Sequence, residues 1–292
     1  AHEYYRITDD VSDFDQDWDR AMRLIVTTLK TEQRKDGPGP YRFIRTTSRM
    51  TDAPVYEGTG RPIRPVGMIG SMFRPSDDAT VLPFLIPSNL FAVQSLRQLS
   101  EIYKNVLKDP IFANECRKLA DEVQAAVLQW GTAEHLQFGR IYAYEADGFG
   151  NRLFMDDANV PSLMSLTYLG IEDPEVGLYN RTRKFLLSEY NPWLIRGKAA
   201  EGSGSPHTGK DSIWPMGIIL RALTSRDKPE ILRCLRMLKK THAGTGLMHE
   251  SFHKDNPSDF SRSWFAWANT LFGELILTVY RENPDLLKQP NI

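Results

Sequence analysis

The sequence predicts an all-α fold, a toroid of helical hairpins. Three observations lead there. Segments with apolar residues at helical spacing recur along the chain, strand signals are sparse, and consecutive helical segments are separated by long loops rich in Gly, Pro, His, Asp and aromatic residues. Helix pairs alternating with such loops favour a ring of hairpins over a compact bundle, whose connections are short.

The elements follow in order. Over 12–30, Phe14, Trp18, Met22, Ile25 and Leu29 recur at three- to four-residue steps, with Ser12 placed as the N-cap. Over 88–107, Leu90, Val93, Leu96, Leu99 and Tyr103 do the same, with Pro87 just ahead. Over 111–130 the stripe is Leu119, Val123, Ala126, Val127 and Trp130. Further helices are expected over 160–169, 175–189, 212–225, 228–241 and 262–281. The alternating run Arg140–Glu145 reads as a short strand. The loops 60–87, 144–160, 190–211 and 243–262 are where binding and catalytic groups are expected, because ordered loops on a rigid scaffold carry them. No low-complexity segment, exact repeat or composition break divides the chain, so one domain over 1–292 is expected.

The totals exclude several classes. A chain of 292 residues can bury a sizeable core. Its 36 basic and 37 acidic residues leave a net charge of −1, which creates no field to gather nucleic acid or acidic lipid. No apolar run reaches the roughly 20 residues that span a bilayer, and no basic start followed by an apolar stretch marks a signal peptide. No nucleic-acid or membrane partner is therefore expected, while compartment and oligomeric state stay open. Cys116 and Cys234 lie far apart in helix-like apolar stretches and read as small buried hydrophobes. Asn180-Arg181-Thr182 is a glycosylation triplet of a kind that arises often by chance.

Five constellations hold groups capable of chemistry. In Phe73-Arg74-Pro75-Ser76-Asp77-Asp78, adjacent acids follow a Ser. An N-cap is the plain reading, but Pro83 and Pro87 bound the apolar run that follows, so no helix begins there. An acid held in a Pro-rich loop near Phe73 and Phe84 is suited to general acid catalysis. The second runs from Glu145-Ala146-Asp147-Gly148 through Phe154-Met155-Asp156-Asp157-Ala158-Asn159. Its acids and amides can meet several hydroxyls of a sugar ring, or can cap a turn and the helix near 160; the spacing of an EF-hand calcium loop is absent. The third, Gly202–Gly209, lacks the Gly-Lys-Ser/Thr ending of a phosphate cradle and reads as a loop from which His207 can donate to a substrate hydroxyl.

The fourth, His249-Glu250-Ser251-Phe252-His253, spells H-E-x-x-H, the zinc-peptidase signature, and Glu274 offers a third ligand. That chemistry requires both histidines on one face of a helix. Gly246 and Pro257 leave room for barely two turns, so a zinc peptidase stands only as the alternative reading. The fifth, Arg262-Ser263-Trp264-Phe265-Ala266-Trp267-Ala268-Asn269, sets aromatics beside an Arg and an Asn; Trp faces stack on sugars and fill cores equally well. Two separated carboxylates in a polar, aromatic-lined site form the arrangement used for glycosidic cleavage.

The strings Phe-Arg-Pro-Ser-Asp-Asp-Ala (73–79), Tyr-Glu-Ala-Asp-Gly-Phe-Gly-Asn (144–151), Leu-Phe-Met-Asp-Asp-Ala-Asn-Val-Pro-Ser-Leu (153–163), Ile-Trp-Pro-Met (213–216), Met-His-Glu-Ser-Phe-His (248–253) and Trp-Phe-Ala-Trp-Ala-Asn (264–269) resemble those of glycoside hydrolase family 125, in the same order from about residue 66 to 281. The resemblance implies an (α/α)6 toroid of the six-hairpin glycosidase type. It further implies an exo-acting, inverting, metal-independent α-1,6-mannosidase with no cofactor, acting on a mannose-containing oligosaccharide or N-glycan. By that pattern the general acid lies in the Ser76-Asp77-Asp78 run, placed at Asp77 with Asp78 as the alternative, and Glu250 is the general base. Inversion implies carboxyl groups roughly 6.5–9.5 Å apart, leaving room for the attacking water. Asp78, Asp156, Asp157, Asn159, His207, His249, Arg262 and Trp267 are expected to meet the sugar. Family members are longer and a six-hairpin ring needs more than the eight or nine helices, approximately, that periodicity offers here. The expectation is that N-terminal helices, and any leader among them, are lacking from this chain. A non-catalytic carbohydrate-binding ring is then a further alternative.

Overall fold

The computed structural model describes residues 1–47 and 49–289. The chain forms two compact units whose segments interleave in sequence. The first comprises Ala1–Arg74, Ala79–Ala133 and Ala143–Leu153; the second comprises Pro75–Asp78, Glu134–Tyr142 and everything from Phe154 onward.

In the first unit, helices α1 (His2–Thr8) and α2 (Gln16–Thr31) come first, followed by the one-turn α3 (Val55–Gly58). The cap of α2 is Asp15, whose carboxylate accepts the Trp18 amide at 2.8 Å, and not the expected Ser12. Strand β1 (Phe84–Leu85) leads into α4 (Ile86–Asn105), which turns back as α5 (Pro110–Trp130). Leu90, Val93, Leu96, Leu99 and Ile102 of α4 and Phe112, Cys116, Leu119, Val123 and Val127 of α5 are buried. These are the helical-spaced apolar positions, so the stripe read in the sequence is the face that packs. The chain then enters β2 (Thr132–His135), β3 (Gly139–Tyr142, in the second unit), β4 (Glu145–Ala146) and β5 (Arg152–Leu153). The expected strand over 140–145 is thus divided between β3 and β4. Strands β1, β4 and β5 form one antiparallel sheet, with Leu85 opposite Glu145 and Glu145 opposite Leu153.

Glu145, fully buried, sits beneath the hairpin that leads to Asp77. One carboxylate oxygen takes Arg74 Nε at 2.6 Å; the other takes the amides of Val81 and Leu82 at 3.0 Å each. Phe73 and Ala79 bridge antiparallel. Arg74 and the Val81 and Leu82 amides thus share a single carboxylate, which answers an otherwise costly buried guanidinium.

The second unit continues through α6 (Leu178–Leu186), β6 (Leu194–Arg196), β7 (Glu201–Ser203), β8 (Ser212–Ile213), α7 (Pro215–Leu223), α8 (Lys228–Thr241), β9 (Ser251–His253), β10 (Phe260–Ser261) and α9 (Ala266–Glu282). Its core joins Ile213, Trp214, Met216 and Ile219 to Leu235 and Leu238 of α8 and Leu271, Leu275 and Val279 of α9. The helix expected over 160–169 is a series of turns instead. Its first amides are captured from outside the segment: the Asp156 carboxylate takes the Leu163 and Met164 N–H groups, and Ser162 and Ser165 bond to each other's backbone. Such local bonds compete with a helical ladder. Both cysteines are buried and unpaired, and burial pushes the Cys116 thiol up to about 11 and Cys234 to about 12. No described helix is long and apolar enough to cross a membrane.

Candidate active site

The residues to which the sequence assigns a site role, Asp77, Asp78, Asp156, Asp157, Asn159, His207, His249, Glu250, Arg262 and Trp267, all lie in the second unit. They form two hydrogen-bonded clusters.

The first is built around Asp157, which is 1% exposed. One oxygen accepts the Asn159 amide at 3.1 Å and the Asn159 side-chain nitrogen at 2.7 Å. The other accepts the Ser76 hydroxyl at 3.2 Å and the Ser205 hydroxyl at 2.8 Å. Ser205 Oγ also receives the His207 amide at 3.2 Å. Asp157 therefore ties together the residue preceding Asp77 and the loop carrying His207. Asp77 is exposed, in left-handed backbone (φ 67) that Asp adopts more readily than most residues. Asp78 points inward, 1% exposed, with Oδ1 at 3.2 Å from His207 Nδ1.

Asp156, equally buried, gives one oxygen to the Leu163 amide and one to that of Met164, each at 2.9 Å; burial pushes its carboxyl up to about 7 against those two donors. Asp156, Asp157 and Asn159 are expected from the sequence to hold mannose hydroxyls. In the structure both carboxylates have protein donors on both oxygens: Asp156 from the Leu163 and Met164 amides, and Asp157 from nearby Asn159 and from the distant Ser76 and Ser205. The first half of the same constellation belongs to the first unit, where Glu145 is the buried anchor described above and Asp147 accepts the Phe149 and Asn151 amides of its own turn.

The second cluster stands on the sheet β8–β9–β10, where Ile213 faces Phe252 and Ser251 faces Ser261. Glu250 immediately precedes β9 and is 8% exposed. Its Oε2 accepts Ser261 Oγ at 3.0 Å and its Oε1 lies 3.0 Å from Arg262 Nε. Arg262 has left-handed backbone (φ 50) and a largely exposed side chain whose guanidinium lies 5.9 Å from the Phe265 ring centre. The His249 ring stacks on Phe260 with centres 3.8 Å apart and planes 4° off parallel. Its Nδ1 lies 3.3 and 3.1 Å from the carbonyls of Arg262 and Ser263, so that nitrogen carries the proton; Nε2 is buried without a hydrogen-bond partner among the described residues.

Aromatic rings connect the two clusters. His207 meets Trp214 edge-on at 6.4 Å, and Trp214 meets Phe265 at 6.1 Å. Phe265 in turn touches Arg262 and lies 6.5 Å from Trp267, which is partly exposed at the start of α9. A continuous path thus runs from Asp78 through His207, Trp214, Phe265 and Arg262 to Glu250.

The zinc-peptidase alternative requires a helix over 249–253, and none forms: the segment leaves a turn and enters β9. The two histidines therefore share no helix face, and each has other partners: His249 Nδ1 lies against the Arg262 and Ser263 carbonyls, and His253 Nδ1 accepts the Asp255 amide at 3.2 Å. The offered third ligand, Glu274, accepts the Tyr168 hydroxyl instead. Among the described residues, no three or more His, Cys, Asp or Glu side chains group to hold a metal ion.

With this geometry in place, comparison with known proteins is decisive. The family described as metal-independent α-mannosidase, glycoside hydrolase family 125, matches residues 1–277. The chain belongs to this family. It is similar to the meiotically up-regulated gene 157 protein of Schizosaccharomyces pombe, 42% identical over 99% of this chain, and it spans 58% of that relative's length. Among solved structures it resembles a family member from Streptococcus pneumoniae, described among metal-independent α-mannosidases and in a non-productive complex with α-1,6-mannobiose. The TM-score is 0.92 and the identity 39%, covering 97% of this chain and 67% of that one. A bacterial glucoamylase complexed with acarbose shares the fold alone, with TM-score 0.54 and 15% identity over 72% of this chain and 36% of that one. The expected all-α, six-hairpin glycosidase class is thereby established.

Ser261 lies outside every string the sequence singles out, and Ser76, Ser205, Trp214 and Phe265 lie inside such strings without a role assigned to them. A Ser carries no positional signal of its own. The Asp255-Asn256-Pro257 turn between two short runs does mark a hairpin, and that reading would have set Ser261 opposite Ser251.

Proposed function

We propose that this protein is an exo-acting α-1,6-mannosidase that hydrolyses terminal mannose with inversion. Asp77 acts as general acid and Glu250 as general base. The reading is carried by one observation: a carboxylate held by a Ser and an Arg on a rigid sheet edge, joined by a short chain of rings to a second acidic cluster. The family, and the mannobiose bound by the Streptococcus pneumoniae relative, favour an α-mannoside as substrate.

In this mechanism Asp77 protonates the glycosidic oxygen as the C1–O bond breaks. Its exposure leaves it able to reach a substrate, whereas Asp78 is buried against His207 and serves to orient that ring. Glu250 takes a proton from the water that attacks C1 from the opposite face. His207, Arg262 and Trp267 surround the sugar, the Trp offering an apolar face to its C–H surface, while His249, 1% exposed and stacked on Phe260, supports the segment that carries Glu250. Asp156, Asp157 and Asn159 position the loops rather than the substrate. No step requires a metal.

The test is hydrolysis of α-1,6-linked mannobiose followed by proton NMR of the first product. β-Mannose is expected; α-mannose released first would overturn inversion. Glu250→Gln should cut turnover to a small but measurable residual rate, and near-normal turnover would remove Glu250 from the mechanism. Full activity is expected after exhaustive chelation, and loss restored by zinc would revive the peptidase-like reading.

A further inference from the structure

We infer that Ser261 is the positioning residue of the general base. The inference rests on Glu250 acting as that base.

Hydrogen-bond polarity carries the argument. A carboxylate can only accept, so the Ser261 hydroxyl donates its one proton to Glu250 Oε2, at 3.0 Å. Having spent its donor there, Ser261 Oγ must accept from the Ser251 hydroxyl at 2.8 Å, and it also accepts the Ser251 amide at 3.2 Å. The one donor and both acceptor positions of the hydroxyl are then filled. Its rotation is fixed by a cross-strand pair, because Ser261 faces Ser251 in the β9–β10 register. Ser251 is 3% exposed, so its amide has no ready solvent partner to exchange for this one.

The other oxygen of Glu250 is held differently. Arg262 Nε reaches Oε1 from a side chain that is 64% exposed and in contact with solvent. That contact is screened and mobile by comparison. Without Ser261 the carboxylate can rotate about its last side-chain bond, and the oxygen that must meet water leaves the line of attack. Ser261 touches Glu250 and no reacting atom, so its contribution is to set where the base stands.

The experiment measures kcat and KM of Ser261→Ala, Ser261→Thr, Glu250→Gln and the Ser261→Ala/Glu250→Gln double variant on α-1,6-linked mannobiose. Misplacing a reacting group by about 1 Å costs on the order of 100-fold in rate. Ser261→Ala is therefore expected to lower kcat by about 10- to 100-fold with KM within about 2-fold of wild type. Ser261→Thr keeps the hydroxyl and should restore most of kcat, which also controls for a folding defect. The double variant should be no slower than Glu250→Gln alone, because a residue acting through the base has nothing to add once the base is gone. Wild-type kcat in Ser261→Ala, or independent multiplication of the two losses in the double variant, would overturn the inference. Near-normal turnover of Glu250→Gln would instead overturn the mechanism on which it rests, so the two failures are distinguishable.

Discussion

Replacing Asp157 with alanine removes the acceptor for four donors at once: the Asn159 amide and side-chain nitrogen, and the hydroxyls of Ser76 and Ser205. All four belong to buried residues. A hydrogen bond to a charged group contributes about 1.5–3 kcal/mol, but four bonds on one carboxylate do not add independently. Truncating one member of a buried charged network typically costs about 3–5 kcal/mol, and that is the destabilisation expected here. Asp157→Asn should cost about 1–2 kcal/mol, because the amide can present its oxygen to Asn159 and its nitrogen to the two hydroxyls, which can turn to accept. The loss should also reach catalysis, since Ser76 precedes Asp77 and Ser205 holds the His207 amide. The assay is urea unfolding of wild type, Asp157→Ala and Asp157→Asn, with kcat and KM measured under native conditions. If Asp157→Ala unfolds at the wild-type urea midpoint and raises only KM, then Asp157 binds sugar directly and the loop-tying role is refuted.

Other perturbations test the same structure. Asp156 is pushed from 3.8 up to about 7 by burial, so between those limits the native chain binds its proton more tightly than the unfolded chain does. The contribution is full below about pH 4 and is lost as pH rises through about 7, and it amounts to at most about 4 kcal/mol at 1.4 kcal/mol per tenfold. Urea unfolding between pH 5 and 8 should show that decline in wild type and not in Asp156→Asn; equal slopes would count against it. Glu145→Ala leaves the buried Arg74 without its carboxylate and should lower stability by about 3–5 kcal/mol, with circular dichroism on heating as the measure and an unchanged transition as the contrary result. Arg262→Met should lower kcat less than Ser261→Ala does, because its side chain is 64% exposed and reaches the buried Glu250 carboxylate from solvent; a larger kcat loss in side-by-side kinetics would reverse that ranking.

The long helices were legible because their evidence is local. The apolar stripes of α4 and α5 declare which face is buried before any partner is known, and Pro87 and Pro110 mark their first turns. The turns over 161–170 were illegible for the opposite reason: the carboxylate that captures their amides belongs to Asp156, outside the segment. The acid-bearing strings were easy to find as chemistry and hard to assign as roles. Asp157 looks like a sugar ligand until its partners are known, and two of them lie 81 and 48 residues away. The H-E-x-x-H string shows the same limit in reverse, since its spacing has meaning only on a helix and these residues enter a strand. The proposal for Glu250 does not depend on that helix, because a carboxylate beside a sheet edge can still act as a base.

The β9–β10 hairpin has a consequence for how the proposed base could be tuned or lost. Side chains alternate along a strand, so a slip of one residue in β10 would turn Ser261 to the opposite face and present a neighbour to Glu250 instead. The pairing that prevents this is short, two facing residue pairs with the 254–259 connection between the strands. The Glu250 carboxylate, the proposed base, is thus positioned by chain length as much as by chemistry. A single-residue deletion within β10, which alters no charge and removes no acid, is expected to displace the proposed base.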